Sequence, residues 1–307
     1  MNRLVLILKD WAASDLAWRF RNSPSVIFAA VVLVALIFCA VAANLISPHN
    51  PFDPATLDIM DARLPPFWLD GGTTKYLLGT DEQGRDILSS IFYGMRISLL
   101  VGMAAVLFSV TIGVLLGLAA GYLGGWVDAV IMRLGDVQLS FPTIMVAFFI
   151  DGVAKIVLPI GMREDMRFYV VIFAIGVADW VQFARTVRAA TMIERRKDYV
   201  AAARISKVGS LRIVLSHILP NTIGPVLVLA TLGLGVAVLT EAILSFLGLG
   251  MPPSQPSLGT LIRAGNDLLL SGEWWISLFP GAALVLLVLS VNMVGDWLRD
   301  VLNPRLR

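Results

Sequence analysis

Cysteine occurs once in the sequence, as Cys39, so no disulfide can close within the chain and no cluster of thiolates can hold a metal. Bulky Phe38 stands before it where a lipoprotein signal requires a small residue, and Cys39 is read as a packing residue in an apolar run. Histidine is nearly as scarce: His49 and His217 are the two, and neither has a Cys or His nearby that would make a metal site. The chain has no Gly-x-x-x-x-Gly-Lys-Ser/Thr, nor any Gly-Lys pair, so it builds no phosphate-cradling loop of that type. No Gly-x-Ser-x-Gly with a partner histidine is evident, which argues against an enzyme. Charged residues make up only 15% and the net charge is +2, spread over short loops, which excludes a nucleic-acid partner.

Hydrophobic residues take up the space these absences leave. They form 57% of the chain and fall in blocks about the ~20 residues that a bilayer crossing takes. The sequence therefore describes an all-α integral membrane protein. Apolar runs lie near 26–46, 97–120, 129–150, 169–184, 222–247 and 276–296, which predicts six transmembrane helices. An amphipathic stretch over 1–25, with Arg3, Lys9, Arg19 and Arg21, precedes the first. The first run exceeds the ~7–15 apolar residues of a cleaved signal, so Ala40-Val41-Ala42 is read as part of a retained helix. Residues 47–96, with Pro48, Pro51, Pro54, Pro65 and Pro66, are expected to be a solvated irregular segment. Residues 97–300 hold the five-helix core, and 301–307 a short tail.

Lys and Arg set the orientation. With six crossings, fifteen of the 24 fall on the side of both termini: four before the first helix, three after the last, and eight between Arg185 and Arg212. Arg63, Lys75, Arg85, Arg96, Lys155, Arg163, Arg167 and Arg263 fall on the other side. The positive-inside rule then puts both termini and the segment 185–221 in the cytoplasm.

Gly113, Gly117, Gly121 and Gly125 stand at consecutive G-x-x-x-G steps, a strip on which helix backbones approach closely. It serves either packing within the bundle or contact with a second membrane subunit, and spacing alone leaves both open. Asp128, Asp136, Gln138, Asp179, Gln182, Glu241, Asn292 and Asp296 lie at or near the ends of the apolar runs. Such groups face protein, water or the interface. Glu241 and Asp136 are candidates for a pathway or packing role, Glu241 first because apolar sequence surrounds it.

Several blocks share one order with a known family. They are Ser47-Pro48-His49-Asn50-Pro51, Leu78-Gly79-Thr80-Asp81-Glu82-Gln83-Gly84-Arg85-Asp86, Gly94-Met95-Arg96-Ile97-Ser98, Met132-Arg133-Leu134-Gly135-Asp136, Glu241-Ala242-Ile243-Leu244-Ser245-Phe246-Leu247-Gly248, Phe279-Pro280-Gly281 and Asn292-Met293-Val294-Gly295-Asp296. Over nearly its whole length the chain resembles the membrane permease subunits of the dipeptide/oligopeptide/nickel family of bacterial ABC importers. Within that family it is similar to the second of the two permeases. The resemblance implies a type I importer permease fold, one extra N-terminal helix added to a five-helix core, in the bacterial inner membrane. It also implies the partners: a second homologous permease, two ABC ATPase subunits that bind ATP and Mg, and an extracytoplasmic substrate-binding protein. Substrates in such systems are dipeptides, oligopeptides, nickel or opine-like compounds.

The same resemblance marks Asp198 to Asn221 as the segment that docks the ATPase, with Asp198, Tyr199, Ala202, Ala203, Arg204, Gly209, Leu211, Ile218, Pro220 and Asn221 in that role. Two positions depart from the family pattern: Ala201 stands where a Glu is usual, and Lys207 where a Gly is usual. Asp198 is expected to cap the docking helix, and Gly209 to supply the permissive turn after it. Pro220 is expected to break the helix before the fifth span and so separate a surface helix from the membrane helix. The charged insertion 151–167 is either a solvated hairpin or a contact for the binding protein. The rival class is an ion-gradient-driven secondary transporter, but no inverted repeat is evident.

Overall fold

Asp86 shows how this chain builds its crossings. Its carboxylate accepts the backbone N–H of Ser89 at 2.9 Å, satisfying a donor that the first helical turn leaves unpaired. The helix so capped runs Ile87–Leu123 and therefore starts ten residues before the apolar run at 97. The computed structural model describes residues 15–52 and 57–302. The N-terminal stretch with Arg3 and Lys9, Pro54, and the tail with Arg305 and Arg307 lie outside the described residues.

In chain order the helices are α1 (Asp15–Arg21), α2 (Pro24–Val41), α3 (Ala43–Ile46), α4 (Ile87–Leu123), α5 (Gly125–Leu139), α6 (Thr143–Val157), α7 (Arg163–Glu194), α8 (Asp198–Ile205), α9 (Ser210–Ile213), α10 (Leu219–Phe246), α11 (Leu258–Asn266) and α12 (Trp275–Leu302). Among the described residues, β pairing is limited to a bridge between Thr80 and Asp86. Five stretches are long and apolar enough to cross a membrane: Pro24–Val41, Ile87–Leu123, Ile160–Glu194, Ser210–Phe246 and Trp275–Val301. The run expected at 129–150 as one helix is instead α5 and α6, bent by 94°. Pro142 sits at the break, where its ring and missing N–H disfavour a continuous helix.

The bent pair still crosses as one unit, because its ends meet opposite ends of α7. Asp128 of α5 pairs with Arg188, and Asp151 of α6 with Arg167 at 2.7 Å. Those two arginines are separated along α7 by about 31 Å at 1.5 Å per residue, about the thickness of the hydrocarbon layer. The chain thus makes six crossings when the pair counts as one. Asp151, only 5% exposed, also takes Lys155 at 2.7 Å. The insertion 151–167 is the end of α6, a 3₁₀ turn at Ile160–Met162 and the start of α7, a helical hairpin most of whose residues are exposed.

The glycine strip joins α4 to α7. A Cβ on Gly113 would stand 2.8 Å from the Trp180 carbonyl oxygen, one on Gly117 2.6 Å from that of Ala184, and one on Gly121 2.8 Å from that of Arg188. Internal packing therefore accounts for these three, while a Cβ at Gly125 would meet nothing within 4 Å. Arg195 donates to the carbonyls of Gly121 and Tyr122 and so caps the end of α4. On the other side of the bundle Arg96 closes α2 in the same way, bonding the carbonyls of Ala40 and Val41 and the Asn44 amide oxygen. Phe28, Leu107 and Phe149 are exposed on the bundle's outer surface, as a bilayer solvent requires.

The polar segment before α4 is irregular but tied together. Asp61 accepts from Lys75 at 2.7 Å and from the Tyr76 hydroxyl at 2.8 Å, and these bonds hold its carboxyl below the usual range. Asp81 accepts the N–H groups of Gln83 and Arg85 in a tight turn, while burial pushes its carboxyl up. The Leu78–Asp86 block is thus a turn that delivers Asp86 to its cap.

Candidate functional site

Residues 194–221 form a compact knob at the end of α7 and the start of α10. Its backbone departs from the sequence reading at three places. Lys197, in extended conformation, precedes α8, and Asp198 is the first helical residue with no capping bond from its side chain. Its carboxylate still lies in the first turn, where the helix dipole favours negative charge. The turn after α8 is made by Lys207 at φ +53°, a left-handed conformation that costs a non-glycine residue about 1 kcal/mol. Gly209 is extended, with φ −62° and ψ 143°. The position at which the resemblance leads one to expect glycine thus has glycine-like geometry, with lysine in it.

Pro220 does not break the helix. From Ser210 the helix is continuous to Phe246, and the stretch Val214–Ile218 is widened to π register, so the Leu219 N–H reaches the Val214 carbonyl. Pro220 follows directly on this widened turn, where the α-helical hydrogen-bond ladder is already shifted, so its ring and missing N–H are accommodated without ending the helix. The separation between α8 and the membrane helix falls at Ser206–Gly209 instead.

What holds the knob is a hydrogen-bonded hub that the sequence reading did not contain. Glu194, 8% exposed, accepts from the Tyr199 hydroxyl at 2.5 Å and from Lys197 at 2.6 Å. Burial and the adjacent carboxylate push the Tyr199 hydroxyl up to about 12, so it remains the donor at any physiological pH. Asn221 donates to the His217 carbonyl at 2.7 Å, within 3.4 Å of the same hydroxyl. Below the hub, Val200, Ile213 and Ile218 are buried against Leu118, Phe183 and Val187. Ile218 therefore anchors the knob from beneath, and Ala203 packs on the same cluster. Arg204 lies over the Tyr122 ring at 5.5 Å.

Exposed apolar residues on the knob include Ala202, Leu211, 73% exposed, and Ile205, 83% exposed. Ile205 was not among the expected residues. Its signal was an apolar side chain between Arg204 and Ser206 in an otherwise polar stretch.

Away from the knob, Glu241 is fully buried and accepts from the Ser98 hydroxyl at 2.7 Å and the Ser245 hydroxyl at 2.6 Å. Those hydroxyls in turn accept the backbone N–H groups of Leu258 and Met251. Glu241 therefore joins α4, α10 and the start of α11. Asp136 pairs with Arg185 at 2.6 Å, a second rung between α5 and α7. Asp179, placed near a span end by the sequence, stands at the middle of α7, because that helix extends well beyond 169–184 at both ends. Among the described residues no three His, Cys, Asp or Glu side chains gather as a metal set.

The fold and the order of these parts can be compared with known proteins. The family described as binding-protein-dependent transport system inner membrane component matches residues 113–307, and the N-terminal TM domain of oligopeptide transport permease C matches 13–66. The di/tripeptide transport system permease protein DppC of Pseudomonas aeruginosa is 36% identical over 94% of this chain and 90% of its own. The dipeptide transport system permease protein DppC of Escherichia coli K12 is 40% identical over 94% and 91%. Inward-facing structures of the MetNI methionine ABC transporter align with a TM-score of 0.53 at 18% identity, covering 68% of this chain and 94% of theirs, a likeness of fold. The chain belongs to the binding-protein-dependent transport system inner membrane components, as a multi-pass permease subunit of an ABC importer.

Proposed function

We propose that this chain pairs with a second, homologous permease to form the translocation pathway for di- or oligopeptides. An extracytoplasmic binding protein delivers them, and two ATPase subunits, which carry the ATP and Mg, grip the knob from the cytoplasm. The peptide assignment is supported by the names of the relatives that match along most of the chain. The cytoplasmic placement is supported by the concentration of Arg and Lys between Arg185 and Arg212. The ATPase role is carried by one observation: Ala202, Ile205 and Leu211 are exposed apolar residues at the most basic end of the molecule.

The knob is built to transmit motion. Tyr199 ties α8 to the end of α7 through Glu194, and Ile213 and Ile218 tie it to the helix that continues as α10. A push on α8 when the ATPases close on ATP therefore moves α7 and α10 as rigid bodies and shifts the bundle between inward-open and outward-open states.

Ala202→Glu tests the reading. The residue is exposed and glutamate favours helix, so the subunit folds and inserts normally. Ala203 is the poorer choice, since it packs on the buried cluster. The ATPase subunits are expected to lose co-purification with the Ala202→Glu permease, and dipeptide uptake in liposomes to fall at least roughly tenfold, equivalent to about 1.4 kcal/mol of lost docking. Normal assembly and uptake would remove the assignment.

A further inference from the structure

We propose that Asp179 is a substrate contact: a carboxylate in the translocation pathway that receives the ammonium end of the peptide as it passes mid-membrane. The proposal rests on the peptide reading above.

Asp179 sits at the midpoint of α7, roughly 22–24 Å from either end of the helix at 1.5 Å per residue. Its side chain is partly exposed, and among the described residues no hydrogen bond or ion pair reaches it. Four other acids of the crossings, Asp128, Asp136, Asp151 and Glu241, are all engaged. Asp128 has Arg188, Asp136 has Arg185, Asp151 has Arg167 and Lys155, and Glu241 has two serines. Asp296 and Asp300 are exposed in the last two turns of α12, where water is close. An unpaired carboxylate at mid-membrane is expensive and is kept where it faces water or a passing cation.

The face it occupies fits that use. The glycine contacts of α4 take the side of α7 that carries Trp180, Ala184 and Val187, and the arginines toward α5 take another. Asp179 shares a third face with Gln182 and Thr186, three and seven residues on, so a polar stripe runs from mid-membrane toward the basic end. A peptide with a free amino terminus carries a cation for this carboxylate, and a charge-assisted bond forms there without a metal or a second acid.

The test uses the whole importer, with its permease pair, ATPases and binding protein, in liposomes, and L-alanyl-L-alanine as probe. Asp179→Asn is expected to slow uptake roughly tenfold, as the loss of one charge-assisted bond of about 1.4 kcal/mol does. Asp179→Glu is expected to retain most of the rate, and ATP hydrolysis stimulated by the binding protein to persist in both. Because Cys39 is the sole cysteine, Asp179→Cys in a Cys39→Ser background gives a second reading that needs no transport. A cationic, membrane-impermeant methanethiosulfonate should label it, and peptide-loaded binding protein should slow the labelling. Wild-type uptake by Asp179→Asn, or no labelling in any nucleotide state, overturns the proposal and leaves the peptide reading standing. A wild-type importer that takes up no dipeptide overturns both.

Discussion

Gly117→Leu is expected to abolish accumulation of the folded subunit. A Cβ at that position would lie 2.6 Å from the Ala184 carbonyl oxygen and 2.7 Å from the Val187 Cβ. The first is backbone inside a helix, so it cannot swing aside as a flexible side chain would, and α7 must retreat. Retreat separates Arg188 from Asp128 and draws Arg195 off the carbonyls of Gly121 and Tyr122. Overpacking alone costs about 1–3 kcal/mol, and the uncoupled ion pair and cap add to it. The sum approaches the whole margin of about 5–15 kcal/mol that holds a typical domain together. Gly281→Ala is the matched control. Nothing lies within 4 Å of the added carbon there, and alanine is the better helix former. Detergent-solubilised protein on size exclusion should give a monodisperse peak for the control and aggregate or no protein for Gly117→Leu.

Glu241→Ala is expected to lower stability by about 3–5 kcal/mol, the range seen when a buried polar network loses its centre. The carboxylate is the acceptor for Ser98 and Ser245, and those hydroxyls hold the N–H groups of Leu258 and Met251. Without it two buried donors lose their partner, and a void opens where α4, α10 and α11 meet. Glu241→Gln keeps the volume and one acceptor and is expected to lose less. Thermal unfolding of the purified subunit should rank the three as wild type, glutamine, alanine. An alanine variant as stable as wild type would remove the joint from this account.

The parts of the fold that depend on lipid were legible in the sequence, because solvent sets them. A run such as Pro24–Val41 has to be a crossing, and the glycines at fixed spacing have to face a helix. What composition could not place were the ends. The apolar run at 97 hides a helix that starts at Ile87, since its first turns carry Ser89, Ser90 and Arg96 and are held by a cap and by packing. The same blindness misplaced Asp179: α7 continues through charged residues at both ends, so a group drawn near a boundary is central. The segment proposed to dock the ATPase was picked out by resemblance alone, and its internal geometry was not legible. Pro220 was read by its local rule, and the π turn at Val214–Ile218 absorbs it. Glu194 and Ile205 escaped notice because their importance comes from residues brought near only by folding.

The central claim is that a nucleotide-consuming partner seizes the knob from inside the cell. Ile205→Cys in the Cys39→Ser background, carrying a short maleimide photocross-linker, measures this at the most exposed large apolar residue of α8. In the assembled importer the account predicts an adduct with an ATPase subunit whose yield changes when ATP is bound. An adduct with the binding protein, or modification by an impermeant maleimide added to intact cells from outside, would contradict it.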